Sequence, residues 1–307
     1  MPASGVRDGV EAEVTSFRRL VGRPGPPLLL AGAGNALTAR VIEEVGFEAV
    51  YVSGAGVTNS YLGAPDIGLL TSVELADHVS AIADAVQIPI AVDADTGFGN
   101  ALNVQRTVRR LERAGASAIQ IEDQLDPKRC GHFEGKRVIA ASEMVGKVQA
   151  AVDARGSDET VIIARTDAVA VEGLEAACER GIRYAEAGAD LIFVEAPQRH
   201  EDLAYIAEHV PAPLLLNVVE GGLTPVLPLG TLHELGFSVV LYANTALRGS
   251  VLGSRRALEH LFEHGDTREA SDLMITWEER QDLVRKPEFD ARGDRFAGPP
   301  DDPAVST

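Results

Sequence analysis

Short apolar runs recur along the chain, each followed by a stretch whose apolar residues fall at helical spacing: Leu28–Ala31, Ala49–Ser53, Ile88–Asp93, Ala118–Glu122, Thr160–Arg165, Leu191–Glu195, Leu214–Asn217 and Val239–Tyr242. The segments Ala36–Val45, Ser72–Val86, Leu102–Ala114, Ser142–Arg155 and Leu174–Ala187 carry the helical pattern. Three of them stop at a glycine, Gly46, Gly115 or Gly188, shortly before the next run. Glycine ends a helix there because it enters left-handed backbone without a Cβ clash. A strand followed by a helix and then another strand pairs in parallel, since the helix carries the chain back to the starting edge. Eight such units predict a closed (β/α)8 barrel of the α/β class. A doubly wound open sheet is the competing arrangement. Gly32-Ala33-Gly34 hints at it, but the third glycine and the later ribose-binding acid of a dinucleotide site are missing.

A length of 307 residues suits one barrel. The chain is expected to divide into an N-terminal helix and linker (1–27), the barrel (28–264), and a C-terminal helical extension with a flexible tail (265–307). A helix over Glu11–Val21, ahead of Pro24-Gly25-Pro26-Pro27, is expected to cap the barrel floor. Helices are expected over Leu247–His264 and Ser271–Val284, and from Pro287 to Thr307 periodicity is lost, so that tail is expected to be mobile or partner-bound. The net charge of −18 argues against nucleic acid or an anionic membrane surface as partner. With two cysteines far apart, no signal-peptide pattern and no apolar run of about 18 residues, a reduced cytoplasmic protein is expected.

In a parallel barrel the chemistry sits at the C-terminal ends of the strands. Those ends read Ser53-Gly54-Ala55-Gly56, Asp93-Ala94-Asp95, Glu122-Asp123, Arg165, Glu195 and Asn217. Carboxylates crowded on one apolar rim need a cation, and oxygen donors without a His or Cys cluster select a hard one: Mg²⁺, with Mn²⁺ as substitute. Strand alternation turns Asp93 and Asp95 to the same side, with Asp66 and Glu122 as outer members of the set. Singly, each acid could equally be a helix cap or a surface ion pair. Arg165 closes a buried run and is read either as a partner of Glu122 or Glu195 or as a bidentate clamp on a substrate carboxylate.

The loop Lys128-Arg129-Cys130-Gly131-His132-Phe133-Glu134-Gly135-Lys136 is basic in an acidic chain. Cys130 lies between Arg129 and Gly131-His132, where cations favour a reactive thiol, whereas Cys178 sits on an amphipathic helix and reads as core. Gly131 and Gly135 suggest hinges of a lid that excludes water. His132 reads either as a loop hydrogen-bonding group or as an acid-base residue.

At Tyr51-Val52-Ser53-Gly54, Asp93-Ala94-Asp95-Thr96-Gly97-Phe98-Gly99-Asn100, Glu122-Asp123-Gln124 and Lys128-Arg129-Cys130-Gly131-His132, the chain resembles the isocitrate lyase/phosphoenolpyruvate mutase superfamily, from about Leu28 to Leu261. The resemblance implies a barrel whose eighth helix is exchanged between subunits of a dimer or tetramer. It implies Mg²⁺ bound directly by Asp93 and through water by Asp66, Asp95 and Glu122. It places a small carboxylate substrate on Tyr51, Ser53, the Gly54 and Ala55 amides, Asp93, Gly131, His132 and Arg165, with Asn217 and a catalytic Glu195 deeper. Within the family, Cys-Gly-His marks carbon–carbon lyases, so Cys130 would protonate the departing carbon, tuned by Arg129 and His132. The implied substrates are 2-hydroxy di- or tricarboxylates of the methylisocitrate or alkylmalate kind. Ala33-Gly34-Asn35-Ala36 and Tyr242-Ala243-Asn244 instead resemble the mutase and hydrolase branch, which keeps phosphorus–carbon chemistry, or decarboxylation of a 2-keto diacid, as the alternative. Gly34 is expected to leave room in the pocket. A barrel kept only for binding or assembly is the third reading, and the assembled acids, Cys130 and Arg165 speak against it.

Overall fold

The computed structural model describes residues 16–131, 135–222 and 224–297. Eight parallel strands close into a barrel in sequence order: β1 (Leu28–Ala33), β2 (Val50–Val52), β3 (Ile90–Asp93), β4 (Ala118–Glu122), β5 (Val161–Thr166), β6 (Leu191–Val194), β7 (Leu214–Asn217) and β8 (Val239–Tyr242). Closure is made by β1 against β8, with Leu28 opposite Val239 and Ala31 opposite Tyr242. The open-sheet alternative is thereby excluded.

The helices in chain order are α1 (Phe17–Gly22), α2 (Ala36–Val45), α3 (Gly54–Val57), α4 (Ser72–Ala85), α5 (Ala101–Arg113), α6 (Ala141–Ala154), α7 (Val169–Glu172), α8 (Leu174–Glu186), α9 (His200–His209), α10 (Leu229–Leu235), α11 (Thr245–His264), α12 (Trp277–Leu283) and α13 (Lys286–Phe296). The three punctuating glycines are left-handed as expected, at φ 104° for Gly46 and 105° for Gly115 and Gly188. Helix starts are fixed by side chains that accept free N–H groups: Thr71 and Glu74 form a capping box on α4, and Asn100 does the same with Asn103 on α5.

Period-two alternation sorts the strand residues into two cores. Leu30, Tyr51, Ala91, Ala118, Val161, Ile163, Leu191, Phe193, Leu215, Val239 and Leu241 fill the barrel interior. Their neighbours Val50, Val52, Val92, Ile119, Ile121, Ile162, Ala164, Ile192, Leu216 and Val240 pack outward under the helices. Phe17 and Leu20 of α1 join the interior cluster and are buried. Carrying the inward parity to the strand ends puts Asp93, Gln120, Glu122, Arg165, Glu195 and Asn217 on the barrel axis.

The outward parity assigns Asp123 a different task. Its carboxylate accepts from Thr166 Oγ1 (2.7 Å), the Asp167 amide (2.9 Å), Tyr184 OH (2.8 Å) and Arg180 Nη1 (3.2 Å), tying β4 and β5 to α8. This strand-end acid is structural. Cys178 is also core, with burial pushing its thiol up to about 11.

Several expected boundaries are corrected. The helix expected over Ser271–Val284 is broken into a 3-10 turn at Ser271–Leu273 and α12, because Thr276 starts a new helix with its own capping box to Glu279. The chain from Pro287 is not aperiodic through its described part: α13 runs to Phe296, with proline in its first turn, where no N–H is needed. Of the helix expected over Glu11–Val21, residues 11–15 lie outside the described residues, as do 298–307. Among the described residues no helix is long and apolar enough to cross a membrane. Helix α11 contains no buried residue, and Val251, Leu258 and Phe262 on it are 50%, 63% and 93% exposed.

Candidate active site

β2 ends one residue before Ser53, which leaves the strand to cap α3: Ser53 Oγ accepts from Gly56 N at 3.2 Å. The N–H groups of Gly54 and Ala55 in that first turn have no acceptor within the helix. Gly54 sits against the acids of β3. A Cβ there would lie 3.2 Å from Asp95 Oδ1 and 3.3 Å from Asp93 Oδ2, so both predicted carboxylates face one point. They reach it by a route the alternation rule does not describe. Asp95 has φ 49°, a left-handed conformation that aspartate tolerates, and its N–H donates to Asp93 Oδ1 at 3.2 Å.

A buried hydrogen-bond chain holds Asp93 from inside the barrel. Tyr51 OH donates to Gln120 Oε1 at 2.9 Å, and Gln120 Nε2 donates to Asp93 Oδ1 at 3.1 Å. Burial, with the nearby Asp93 charge, keeps the Tyr51 phenol well above its ordinary range and therefore a donor. Gln120 lies mid-strand in a buried run, and its inward parity is the sequence signal that points to it.

Lys128 was read only as part of a motif, yet its ammonium lies 2.5 Å from Asp66 Oδ1 and 2.7 Å from Asp95 Oδ1. Burial would lower its pKa, but the surrounding Asp95, Asp93, Glu122 and Asp66 outweigh burial and hold it raised. Even so, burial pushes Asp95 up to about 7 against the pull of Lys128, and burial also raises Glu122 against Arg165. Among the described residues Glu122 Oε1 is buried with no hydrogen-bond partner, and Asn217 Oδ1 likewise. The acids thus exceed the positive charge beside them. Carboxylate and amide oxygens in that state fit a hard divalent cation. Among the described residues no three His, Cys, Asp or Glu side chains already converge at metal-ligand spacing.

Arg165 is more heavily engaged than either sequence reading proposed. Its Nε and Nη2 donate to Asp167 at 2.8 and 3.0 Å, Glu122 Oε2 is 3.2 Å from Nε, and Glu195 Oε1 is 3.6 Å from Nη2. Its guanidinium lies over the Phe193 ring at 5.1 Å. Asp167 follows the strand and has inward parity, the signal that would have found it. Glu195, expected as the last residue of β6, falls just beyond it, its N–H continuing the ladder to Thr166 O at 3.0 Å.

The loop after β4 covers this rim. Gln124 fixes its base in both directions: Gln124 Nε2 donates to Arg129 O at 2.8 Å, and Arg129 N donates to Gln124 Oε1 at 3.0 Å. Lys136 Nζ donates to the Gly131 carbonyl and to Asp167 Oδ1. Gly131 rests on the rim so closely that a Cβ would come within 3.0 Å of both Glu195 Oε1 and Arg165 Nη2. His132 lies outside the described residues. Tyr51, Ser53, Ala55, Asp66, Asp93, Glu122, Arg129, Cys130, Gly131, Arg165, Glu195 and Asn217 all line one cavity, together with Lys128 and Asn244. Its volume is about 40 Å³, room for water but far below the several hundred Å³ usual for ligand pockets.

One sequence expectation about pocket shape is corrected. Gly34 does not open space, because a Cβ there would come within 3.0 Å of the Gly56 backbone, so it is a packing glycine. Asn35 caps α2, its Oδ1 accepting from Thr38 N at 2.9 Å. Asn244 does line the cavity.

Residues 17–262 match the family model described as phosphoenolpyruvate phosphomutase. The chain is 47% identical to 2-methylisocitrate lyase of Aeropyrum pernix over 261 residues, covering 85% of this chain and 84% of that one. It is 43% identical to 2,3-dimethylmalate lyase of Eubacterium barkeri over 272 residues, covering 89% and 92%. Its fold superimposes on a phosphonopyruvate hydrolase solved with oxalate and Mg²⁺ at a TM-score of 0.82 and 32% identity, covering 91% of this chain and 97% of that one. A matched family model over most of the chain, relatives above 40% identity and the closed barrel agree: the chain belongs to the phosphoenolpyruvate mutase/isocitrate lyase superfamily.

Proposed function

We propose that this chain is a Mg²⁺-dependent carbon–carbon lyase that cleaves a small 2-hydroxy di- or tricarboxylate, methylisocitrate- or alkylmalate-like, into a 2-keto acid and a carboxylate. The observation that carries it is the placement of Cys130 and Gly131 on a rim formed by Arg165, Glu195, Glu122 and Asp93. The relatives named as lyases support the same reaction class.

Mg²⁺, with Mn²⁺ as substitute, would be held directly by Asp93 and through water by Asp66, Asp95 and Glu122, and when bound supplies polarisation of the substrate's 2-oxygen. One direct carboxylate with water between the ion and the rest does not require three acids already at bonding distance. Arg165, the Ser53 hydroxyl and the Gly54 and Ala55 amides hold the carboxylate beside that oxygen, with Asn217 deeper in the pocket. Glu195 accepts the 2-hydroxyl proton as the hydroxyl becomes a carbonyl. The electron pair of the bond between the second and third carbons passes to the leaving fragment, and the Cys130 thiol protonates it. Arg129 and His132 flank the thiol in sequence and are assigned to seating it. The substrate is a small carboxylate, and the assembly is a dimer or tetramer in which α11, with no buried residue along its 20, is exchanged between copies.

The test is a panel of substituted malates and methylisocitrates offered to the purified chain with Mg²⁺, followed by keto-acid detection. Release from at least one member, abolished by chelation and restored by Mg²⁺, is the expected result. No keto acid from any member, with turnover of a phosphonopyruvate-like substrate detected by phosphorus NMR, would replace this reading with the mutase or hydrolase one.

A further inference from the structure

We propose that Asp167 is a positioning residue with two arms, one orienting Arg165 and the other, through Lys136, fixing the backbone that carries Cys130. This rests on the lyase reading for the roles of Arg165 and Cys130, but its geometry does not.

Asp167 is fully buried and lines no part of the cavity. Its two oxygens take the Nε and Nη2 edge of Arg165 at 2.8 and 3.0 Å, which fixes the guanidinium plane as a bidentate pair does. The same Oδ1 receives Lys136 Nζ at 3.0 Å, and that ammonium also donates to the carbonyl of Gly131, the residue after Cys130. Asp167 is itself pinned, its N–H donating to Asp123 Oδ1 at 2.9 Å in the network that ties β4 and β5 to α8. One carboxylate fixed to the scaffold therefore sets both the cation facing the substrate carboxylate and the peptide beside the thiol.

The charges explain why a lysine is used for the second arm. Arg165 lies among Asp167, Glu122 and Glu195, three carboxylates to one guanidinium. A buried ammonium is costly unless paired, and here Lys136, with its side chain 2% exposed, supplies the second positive charge that Asp167 lacks. Burial tends to raise the Asp167 carboxyl, but Arg165 and then Lys136 outweigh it and hold it below the usual range, so it stays ionised for both arms.

The arms separate experimentally. Lys136→Met leaves Asp167 paired with Arg165 and removes only the Cys130 arm. It is expected to lower kcat by about 10²-fold through a misplaced thiol, with KM and calorimetric Kd for oxalate plus Mg²⁺ changed less than about threefold. Asp167→Asn cuts both arms and is expected to weaken oxalate binding as well. Alkylation of Cys130 by iodoacetamide gives a readout independent of turnover. Bound oxalate should slow it in the wild type but not in Lys136→Met, with buried Cys178 unlabelled in both. Lys136→Arg, which keeps the charge, should recover part of kcat and of the protection. If Lys136→Met does not fold, Lys136→Gln replaces it, since it keeps a donor for Gly131 but no charge for Asp167.

Wild-type kcat and oxalate protection of Cys130 in the uncharged variants would overturn the proposal, as would absence of protection in the wild type. Separation of the arms in calorimetry and alkylation, in a wild type that releases no keto acid, would uphold the positioning and remove the lyase reading.

Discussion

Cys130→Ala is expected to lower kcat by about 10²- to 10⁴-fold, the range for a positioned proton donor, which is about 2.7 to 5.5 kcal/mol on the barrier. Cys130 is half-buried and lines the cavity, and a thiol-to-methyl change adds no bulk. Binding of oxalate with Mg²⁺ should therefore change less than about threefold, since a group acting in the transition state leaves ground-state binding nearly intact. Stopped assays for kcat and calorimetry for Kd check the two halves. A parallel loss of kcat and oxalate affinity would make Cys130 a binding residue.

Gly131→Ala is the second large effect, and it comes from space rather than chemistry. An added methyl would overlap Glu195 Oε1 and Arg165 Nη2, both held by neighbours and unable to retreat freely. The backbone beside Cys130 must lift instead, carrying the thiol away from the reacting carbon. Misplacement of about 1 Å is enough for a 10²-fold loss, so kcat should fall by at least that much. The melting temperature should move little, since the strain can be relieved by displacing a surface loop rather than the barrel. A kcat near wild type would mean that Gly131 does not rest on this rim during turnover.

The barrel was legible because each strand repeats one physical statement: a buried run, a polar end, a helix and a glycine cap. Gly46, Gly115 and Gly188 fall where helix termination demands left-handed backbone. Most of the cavity wall was legible for the same reason, because period-two alternation from an apolar interior delivers Asp93, Glu122, Arg165 and Asn217 inward. What escaped depends on partners distant in sequence. Asp167 is two residues beyond Arg165 with inward parity, but only the fold shows it receiving Lys136 from 31 positions away. Lys128 looked like one charge in a basic loop until Asp66 and Asp95 were placed on either side of it. Gly34 and Asn35 misled in the other direction. Gly34 suggested room in the pocket and Asn35 a mark of the mutase and hydrolase branch, whereas one accommodates the Gly56 backbone and the other caps α2. A helix cap and a binding asparagine use the same side-chain chemistry, and sequence position alone does not separate them.

Bond cleavage is coupled to protonation of the leaving carbon by Cys130 in the proposed reaction, and one reaction run in D₂O observes both. With Mg²⁺ and the substrate found in the panel, proton and carbon NMR should show the wild type releasing a keto acid. A carboxylate bearing one deuterium at the carbon that lost its bond should appear in equal amount, and Cys130→Ser should yield neither above background. Deuterated carboxylate and keto acid from Cys130→Ser at the wild-type rate would contradict the account.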